Sequence, residues 1–407
     1  MKYTTSFISS IKDIDSSHWQ ALARDAGPFL QYPFLAALEA CHCVGPETGW
    51  QPHHLSVCDG DKLVAVMPGY LKEDSYGEYV FDHGWAHAYD QHGLNYYPKW
   101  ISAVPFTPVT GNRLLISPEY EERDILQVAV PALKALSEQG CSSTHILFSP
   151  YPNSKSWYEQ GFARRYSVQF QWYNYGYQTF SDFTAALTSR KRKALHRSRE
   201  KLEQAGVSLT RITGDALTSE HIEFFIRCYQ QTYLKRSGHT GYLTPAFFRQ
   251  IFSSMASNVL LVVAAQEQEP VASALFFYDD NGLYGRYWGA MKEVDGLHFE
   301  TCYNQGIAFA VERGIPLFNP GTQGEHKILR GFEPTWCVSL HKLYDADFHH
   351  AVEQFLQQET PQIARYFQQA ATVLPFNEAM QTTLRTTSTA VVTPDAATTK
   401  KRNDNEV

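Results

Sequence analysis

Short apolar runs separated by polar turns recur in the same order twice along this chain. Residues 54–58 and 63–68 flank the turn Asp59-Gly60-Asp61-Lys62, and residues 260–265 and 270–276 flank Gln266-Glu267-Gln268-Glu269. Each arrangement predicts a hairpin, because a polar turn between two apolar runs lets the backbone reverse and pair. An aromatic run containing Gly and Trp at its end follows each hairpin, over 79–85 and 283–289, and both are predicted as strands. A helix over 125–139 and a strand over 144–150 come next in the first half. The second half repeats this with a helix over 299–313, closed by Gly314, and a strand over 315–320. Phe299, Cys302, Gly306 and Ala310 share one helical stripe and are assigned to core. The alternation predicts an α/β protein of two tandem domains, each with its own mixed sheet.

Between the repeats, residues 190–202 carry seven basic side chains against one acid, while Leu195, Ser198, Leu202 and Ala205 form a thin seam ending at Gly206. This predicts a basic helix over 190–205, opening a second domain of 181–378 after a first of 1–180. Residues 379–407 hold almost no large apolar side chains and are predicted to be a disordered tail.

Composition narrows the function classes. The 407 residues are 43% apolar, and 35 Lys and Arg against 42 Asp and Glu leave a net charge of −7. Such a chain has ample core and is no bulk polycation for nucleic acid or membrane, so an anion site must be local. No apolar stretch is long enough to span a bilayer and the start lacks a secretory pattern, so a cytoplasmic protein is expected. The seven cysteines are scattered, with Cys41-His42-Cys43 the one cluster, and offer neither a disulfide framework nor a zinc cage. Histidines and acids crowd residues 82–92, but their spacing fixes no coordination geometry, and neither a metal nor a tightly bound cofactor is assigned.

Several strings carry a family resemblance. Arg190-Lys191-Arg192-Lys193-Ala194-Leu195-His196-Arg197, running on to Gln204-Ala205-Gly206-Val207, resembles the basic segment that opens the second domain of Fem-type aminoacyltransferases. Phe318-Asn319-Pro320-Gly321-Thr322-Gln323-Gly324, with Lys327-Ile328-Leu329-Arg330-Gly331-Phe332, resembles that family's closing glycine turn and lysine-phenylalanine element. Phe81-Asp82-His83-Gly84-Trp85, Tyr96-Tyr97-Pro98-Lys99, Leu297-His298-Phe299-Glu300 and Gly324-Glu325-His326-Lys327 resemble a bacterial FemAB-like subgroup associated with peptidoglycan biosynthesis.

The resemblance implies two tandem GNAT-like domains of the acyl-CoA N-acyltransferase fold, in which two neighbouring strands splay and an acyl donor lies in the gap. It implies an N-acyltransferase that moves an aminoacyl group, with aminoacyl-tRNA as donor, to an amine of a cell-wall precursor or small molecule. Acyl-CoA is the alternative donor, and a non-catalytic binding protein for peptidoglycan precursor or RNA is the alternative of another class. CoA-using relatives hold pyrophosphate in a glycine-rich loop at a helix N-terminus. Here Arg286-Tyr287-Trp288-Gly289-Ala290-Met291 stands at the corresponding place, and Met291 in the final small position favours tRNA over CoA. Arg190, Lys191, Arg192, Lys193 and Arg197 are the expected tRNA contacts, through phosphates.

His298 and Glu300 begin the helix after the strand gap, and Glu325 and His326 follow the last glycine turn. These four are the expected catalytic residues, one imidazole accepting the amine proton and a carboxylate orienting it or passing the proton through water. Substrate contacts are expected from Asp82, His83, Tyr97 and Lys99 on the acceptor side, and from Arg286, Tyr287, Gln323, Lys327 and Arg330 around the gap. Cys302 as an acyl-carrying nucleophile is set aside because it lies on the core stripe.

Overall fold

The computed structural model describes residues 2–151, 154–321 and 324–387. In the first half the strands are β1 (Tyr3–Ile8), β2 (Trp50–Pro52), β3 (His54–Asp59), β4 (Lys62–Met67), β5 (Tyr70–Lys72), β6 (Lys99–Ser102), β7 (Leu115–Ile116), β8 (Ser143–Pro150) and β9 (Ala163–Tyr173). After the basic helix Ser189–Gln204 come β10 (Val207–Thr213), β11 (Val259–Gln266), β12 (Glu269–Tyr278), β13 (Leu283–Ala290), β14 (Leu317–Asn319) and β15 (Glu333–Leu343). Both expected hairpins are present, as β3–β4 and β11–β12.

The sheets are not confined one to each half. Strands β1, β3, β4 and β7 form a four-stranded sheet, and the other eleven form one sheet in the order β10-β11-β12-β13-β14-β9-β15-β8-β6-β5-β2. Strand β15, last in the chain, pairs with β9 along one edge and with β8 along the other. The second half therefore supplies a strand to the first. Nearly every residue of β15 is buried, so its apolar pattern marks a strand covered on both faces without naming its partners. Aromatic packing also crosses between halves. Phe34, on the helix Tyr32–Ala40, meets Phe247, on the helix Pro245–Ser254, edge to face at 5.5 Å in a core cluster drawn from both.

Two sequence expectations are corrected. Residues 79–85 do not form a strand: Tyr79 takes a left-handed φ of 60° and the helix His83–Gln91 begins after Asp82. Glu78 and Asp82 are both drawn to the buried Lys99, an attraction that an alternating apolar pattern does not encode. The ordered chain also continues beyond residue 378. Leu384 is buried, and the backbone N–H groups of Arg385 and Thr386 donate to Tyr175 and to the buried Glu333. Residues 388–407 of the expected tail lie outside the described residues. Among the described residues no helix is long and apolar enough to cross a membrane.

Strand β13 is pressed against the helix Ser219–Ser237. A Cβ added at Gly289 would lie 1.9 Å from the carbonyl oxygen of Cys228, so only glycine permits this approach. Gly289→Ala is expected to destabilise the protein by about 3 kcal/mol, the upper end of overpacking costs, since backbone rather than a side chain must yield. The lowered midpoint in urea unfolding would show it; an unchanged midpoint would mean that strand and helix separate freely.

The candidate active site between strands β13 and β14

Strands β13 and β14 run parallel but pair only at Leu283–Phe318 and Tyr284–Asn319. Beyond that point β13 continues to Ala290 while β14 ends, and the two diverge. A bulge against β12 sharpens the divergence: Leu275 faces Tyr287 and Phe276 faces Gly285, leaving Arg286 as the extra residue. A cleft of about 810 Å³ occupies the gap. Its walls include Tyr229 and Tyr233, from the helix on one face of the sheet, and Cys302 and Tyr303, from the helix on the other. The gap therefore passes through the sheet, and the first half closes it with Ser75, Tyr79 and His83.

The chain entering the gap from below is Leu297–Phe299, then a π-helical turn Glu300–Asn304, then Gln305–Glu312. The wider turn shifts the expected core stripe: Ala310 stays fully buried, but Cys302 reaches the cleft, and Tyr303 beside it does so too. The Tyr303 hydroxyl lies 2.8 Å from His326 Nε2, and the imidazoles of His298 and His326 are 6.2 Å apart. Burial holds the Tyr303 phenol protonated, so it donates to Nε2. Burial, with the positive charge of neighbouring groups, pushes His298 down to about 4 and lowers His326. Both imidazoles are therefore neutral near pH 7 and available as proton acceptors. Gly324 makes room for this pair, since a Cβ there would lie 2.1 Å from the His326 ring. Tyr303 was missed by sequence reasoning, although its position four residues after Phe299 places it on the same helix face.

The two expected carboxylates stand elsewhere. Glu300 is buried in an ion pair with Arg199 of the basic helix, Nη2 to Oε1 at 2.9 Å, and also accepts from Asn304 and Gln305. Its oxygens are spent on holding the basic helix to the site helix. Glu325 is exposed and bonded to Tyr366. Neither lines the cleft. Gln323 lies outside the described residues.

Lys327 and Arg286 line the cleft, with Tyr287. Lys327 is 2% exposed and donates from Nζ to the Gly321 carbonyl at 2.6 Å. Arg286 donates from Nη2 to the carbonyl of Phe106 in the first half, 2.8 Å away. The Arg330 guanidinium stacks on Phe299 at 3.4 Å and donates to the His326 carbonyl. On the acceptor side only His83 of the four expected residues reaches the cleft. Asp82 and Lys99 are buried partners, and Ser75 Oγ bonds Asp82, Lys99 and Tyr97. Tyr96 extends this network to His145, whose Nδ1 meets His341 Nδ1 on β15 at 2.7 Å. His83 and His87 share a helix, yet no group of three metal-ligating side chains converges among the described residues.

Arg190, Lys193 and Arg197 are exposed on the basic helix, and Lys191 and Arg192 are half-exposed. None of the five pairs with a carboxylate among the described residues, and Lys191 feels the charge of Arg330 at the site. Residues 286–290 belong to β13 and Met291, 49% exposed, begins the turn, so the comparison with a phosphate-binding loop bears on neither donor.

A strand gap crossed by a cleft, in a mixed α/β sheet to which both halves of the chain contribute strands, is the arrangement of the GNAT-like fold. The chain belongs to the FemAB-like family, described as peptidoglycan biosynthesis/recognition, which it matches over residues 10–378. Its fold is similar to that of FemX, with a TM-score of 0.52 at 10% identity over 84% of this chain and 98% of that one. It is similar to the C-terminal domain of an Agrobacterium fabrum protein assigned as a lysylphosphatidylglycerol synthetase, with a TM-score of 0.50 at 10% identity over 83% of this chain and 94% of that one. A tandem GNAT protein from clavulanic acid biosynthesis aligns with a TM-score of 0.43 at 13% identity, covering 84% and 98%. No curated protein sequence matches.

Proposed function

We propose that the protein forms an amide bond by moving an aminoacyl group from aminoacyl-tRNA to an amine of a peptidoglycan precursor. The observation that carries the reading is the cleft through the strand gap with two neutral imidazoles beside it. The donor's acyl end enters between β13 and β14 while its phosphates lie along the exposed cations of the basic helix. The acceptor amine attacks the ester carbonyl carbon, forming a C–N bond and a tetrahedral intermediate. His298 or His326 takes the ammonium proton. Collapse breaks the C–O bond, and the imidazolium gives the proton to the departing ribose oxygen, directly from His298 or through the Tyr303 hydroxyl from His326.

The test is transfer of a labelled amino acid from charged tRNA to a cell-wall precursor by RNA-free protein, with product mass as readout. Labelled product supports the reading. Transfer from acyl-CoA instead would replace the donor, and precursor binding with no transfer from either would make the protein a binding module. The basic helix gives a second expected outcome. Neutralising Arg190, Lys193 and Arg197 to Gln should reduce the slope of log affinity for tRNA against log salt by roughly 2 to 3, because each lost phosphate contact removes about 0.7–0.9 of slope. An unchanged slope would remove the helix from the donor site.

A further inference from the structure

Positive charge accumulates in the cleft without a counter-charge. Lys327 and Arg286 both line it, and Lys327 feels Arg286 as a like charge. The groups facing Lys327 and His298 are Arg286 on β13, Cys302 on the π-turn, His326 and Arg330 after the glycine turn, and Arg236 at the end of the helix Ser219–Ser237. None is a carboxylate, and neither Lys327 nor Arg286 belongs to an ion pair among the described residues. Structural cations this deep are normally neutralised, as Lys99 is by Asp82 and Glu78 in the same molecule. Lys327 instead has one backbone carbonyl, and Arg286 spends Nη2 on another while its buried Nε has no partner. Buried polar atoms of the next two residues of β13, Tyr287 Oη and Trp288 Nε1, are also without partners. This wall therefore offers donors and charge well in excess of what the protein uses.

We infer that Arg286 and Lys327 form an oxyanion-binding locus inside the cleft, which receives a carboxylate or phosphate group carried by one of the substrates. A planar guanidinium suits either anion, and the ammonium adds a point charge from the opposite wall. The anion supplies the counter-charge missing from the empty cleft. It also fixes that substrate's register relative to His298 and His326, which leaves the imidazoles free to handle protons. The inference takes its meaning from the acyl-transfer reading of the same cleft, but its test needs no acyl transfer.

Burial and Arg286 push Lys327 down to about 7, so at pH 8 the empty protein holds this amine mostly neutral. An arriving anion restores the ordinary lysine range, and the protein must then take up a proton: the charged form is favoured below the new, higher pKa. Titration calorimetry of the full chain at pH 8, in two buffers of different ionisation enthalpy, measures that uptake. Inorganic phosphate and pyrophosphate serve as probes in one arm, and acetate and acetylglycine in the other. The expected result is saturable binding in one arm with uptake approaching roughly one proton per anion. The arm that binds identifies the anion. Lys327→Met should abolish the uptake and weaken binding at least about tenfold, and Arg286→Met should weaken binding comparably while keeping part of the uptake, because burial is the larger cause of the Lys327 shift. Arg249→Met, which removes an exposed cation paired with Glu223, should change neither. Wild-type binding with no proton uptake, or equal binding by Lys327→Met, would overturn the inference, as would no binding in either arm. The wild-type measurement stands even if a variant fails to fold. Anion binding without any acyl transfer would sink the acyltransferase reading and leave the locus in place.

Discussion

Replacing His298 and His326 together by Ala is expected to lower the rate of acyl transfer by about 10³-fold, within the range that positioned proton transfer contributes. Each single replacement should cost less, because the rings stand 6.2 Å apart and both are neutral. Tyr303→Phe removes the hydroxyl 2.8 Å from His326 and should slow the step by roughly tenfold, by leaving the departing oxygen without its proton path from His326. The acid limb of the pH profile separates the two rings. His298 accepts a proton only above its lowered value of about 4, so a rate carried by His298 stays flat down to that region. A midpoint close to the ordinary histidine value of about 6.5 would remove His298 as the acceptor. Full activity in the double variant would sink the assignment of both.

Lys99→Met is expected to be the most destabilising single change, at about 3–5 kcal/mol, because it leaves two buried carboxyl groups without their cation. Lys99 is fully buried, between Asp82 and Glu78, with Glu78 Oε2 at 2.8 Å. The two acids differ in protonation. Lys99, His145 and hydrogen bonds from Lys99 and Tyr96 outweigh burial at Asp82 and hold it far below the carboxylate range. Burial dominates at Glu78, with the Asp82 charge adding to it, and pushes it up to about 7. A carboxyl raised in the folded state binds its proton more tightly there than in the unfolded chain. Stability from Glu78 is therefore present below the ordinary carboxylate value and declines as pH rises to about 7, by about 3 kcal/mol in total. Glu78→Gln should flatten that decline in urea unfolding measured from pH 5 to 8. The triple variant Lys99→Met, Asp82→Asn, Glu78→Gln should recover part of the loss from Lys99→Met, since no charge is then stranded. If Lys99→Met unfolds at the wild-type urea concentration, the network carries no structural weight.

His298, His326 and Lys327 were singled out from positions after a predicted strand or turn, Arg286 and Tyr287 from a predicted strand itself and His83 from the acceptor-side stretch, and all six line the cleft. Glu300 and Glu325 were singled out by the same logic, yet one is bound by Arg199, 101 residues away, and the other is exposed. Adjacency in sequence says which residues a turn delivers to one end of a sheet. It does not say which distant charge claims them first. Asp82, Tyr97 and Lys99 failed in the same way, their polar atoms turning inward to one another.

Local chemistry in the chain was sufficient for the hairpins β3–β4 and β11–β12, the basic helix and the helix–strand succession of each half. Those features depend on neighbours a few residues apart, where turn residues, caps and apolar periodicity act directly. Tertiary structure alone decided that β15 joins the halves into one sheet, that the π-turn brings Cys302 of the core stripe to the cleft together with Tyr303, and that Lys99 is neutralised while Lys327 is not. Each of these is settled by which backbone edge or charge lies closest after long loops have closed, and pairing energy and burial depend on that distance in space.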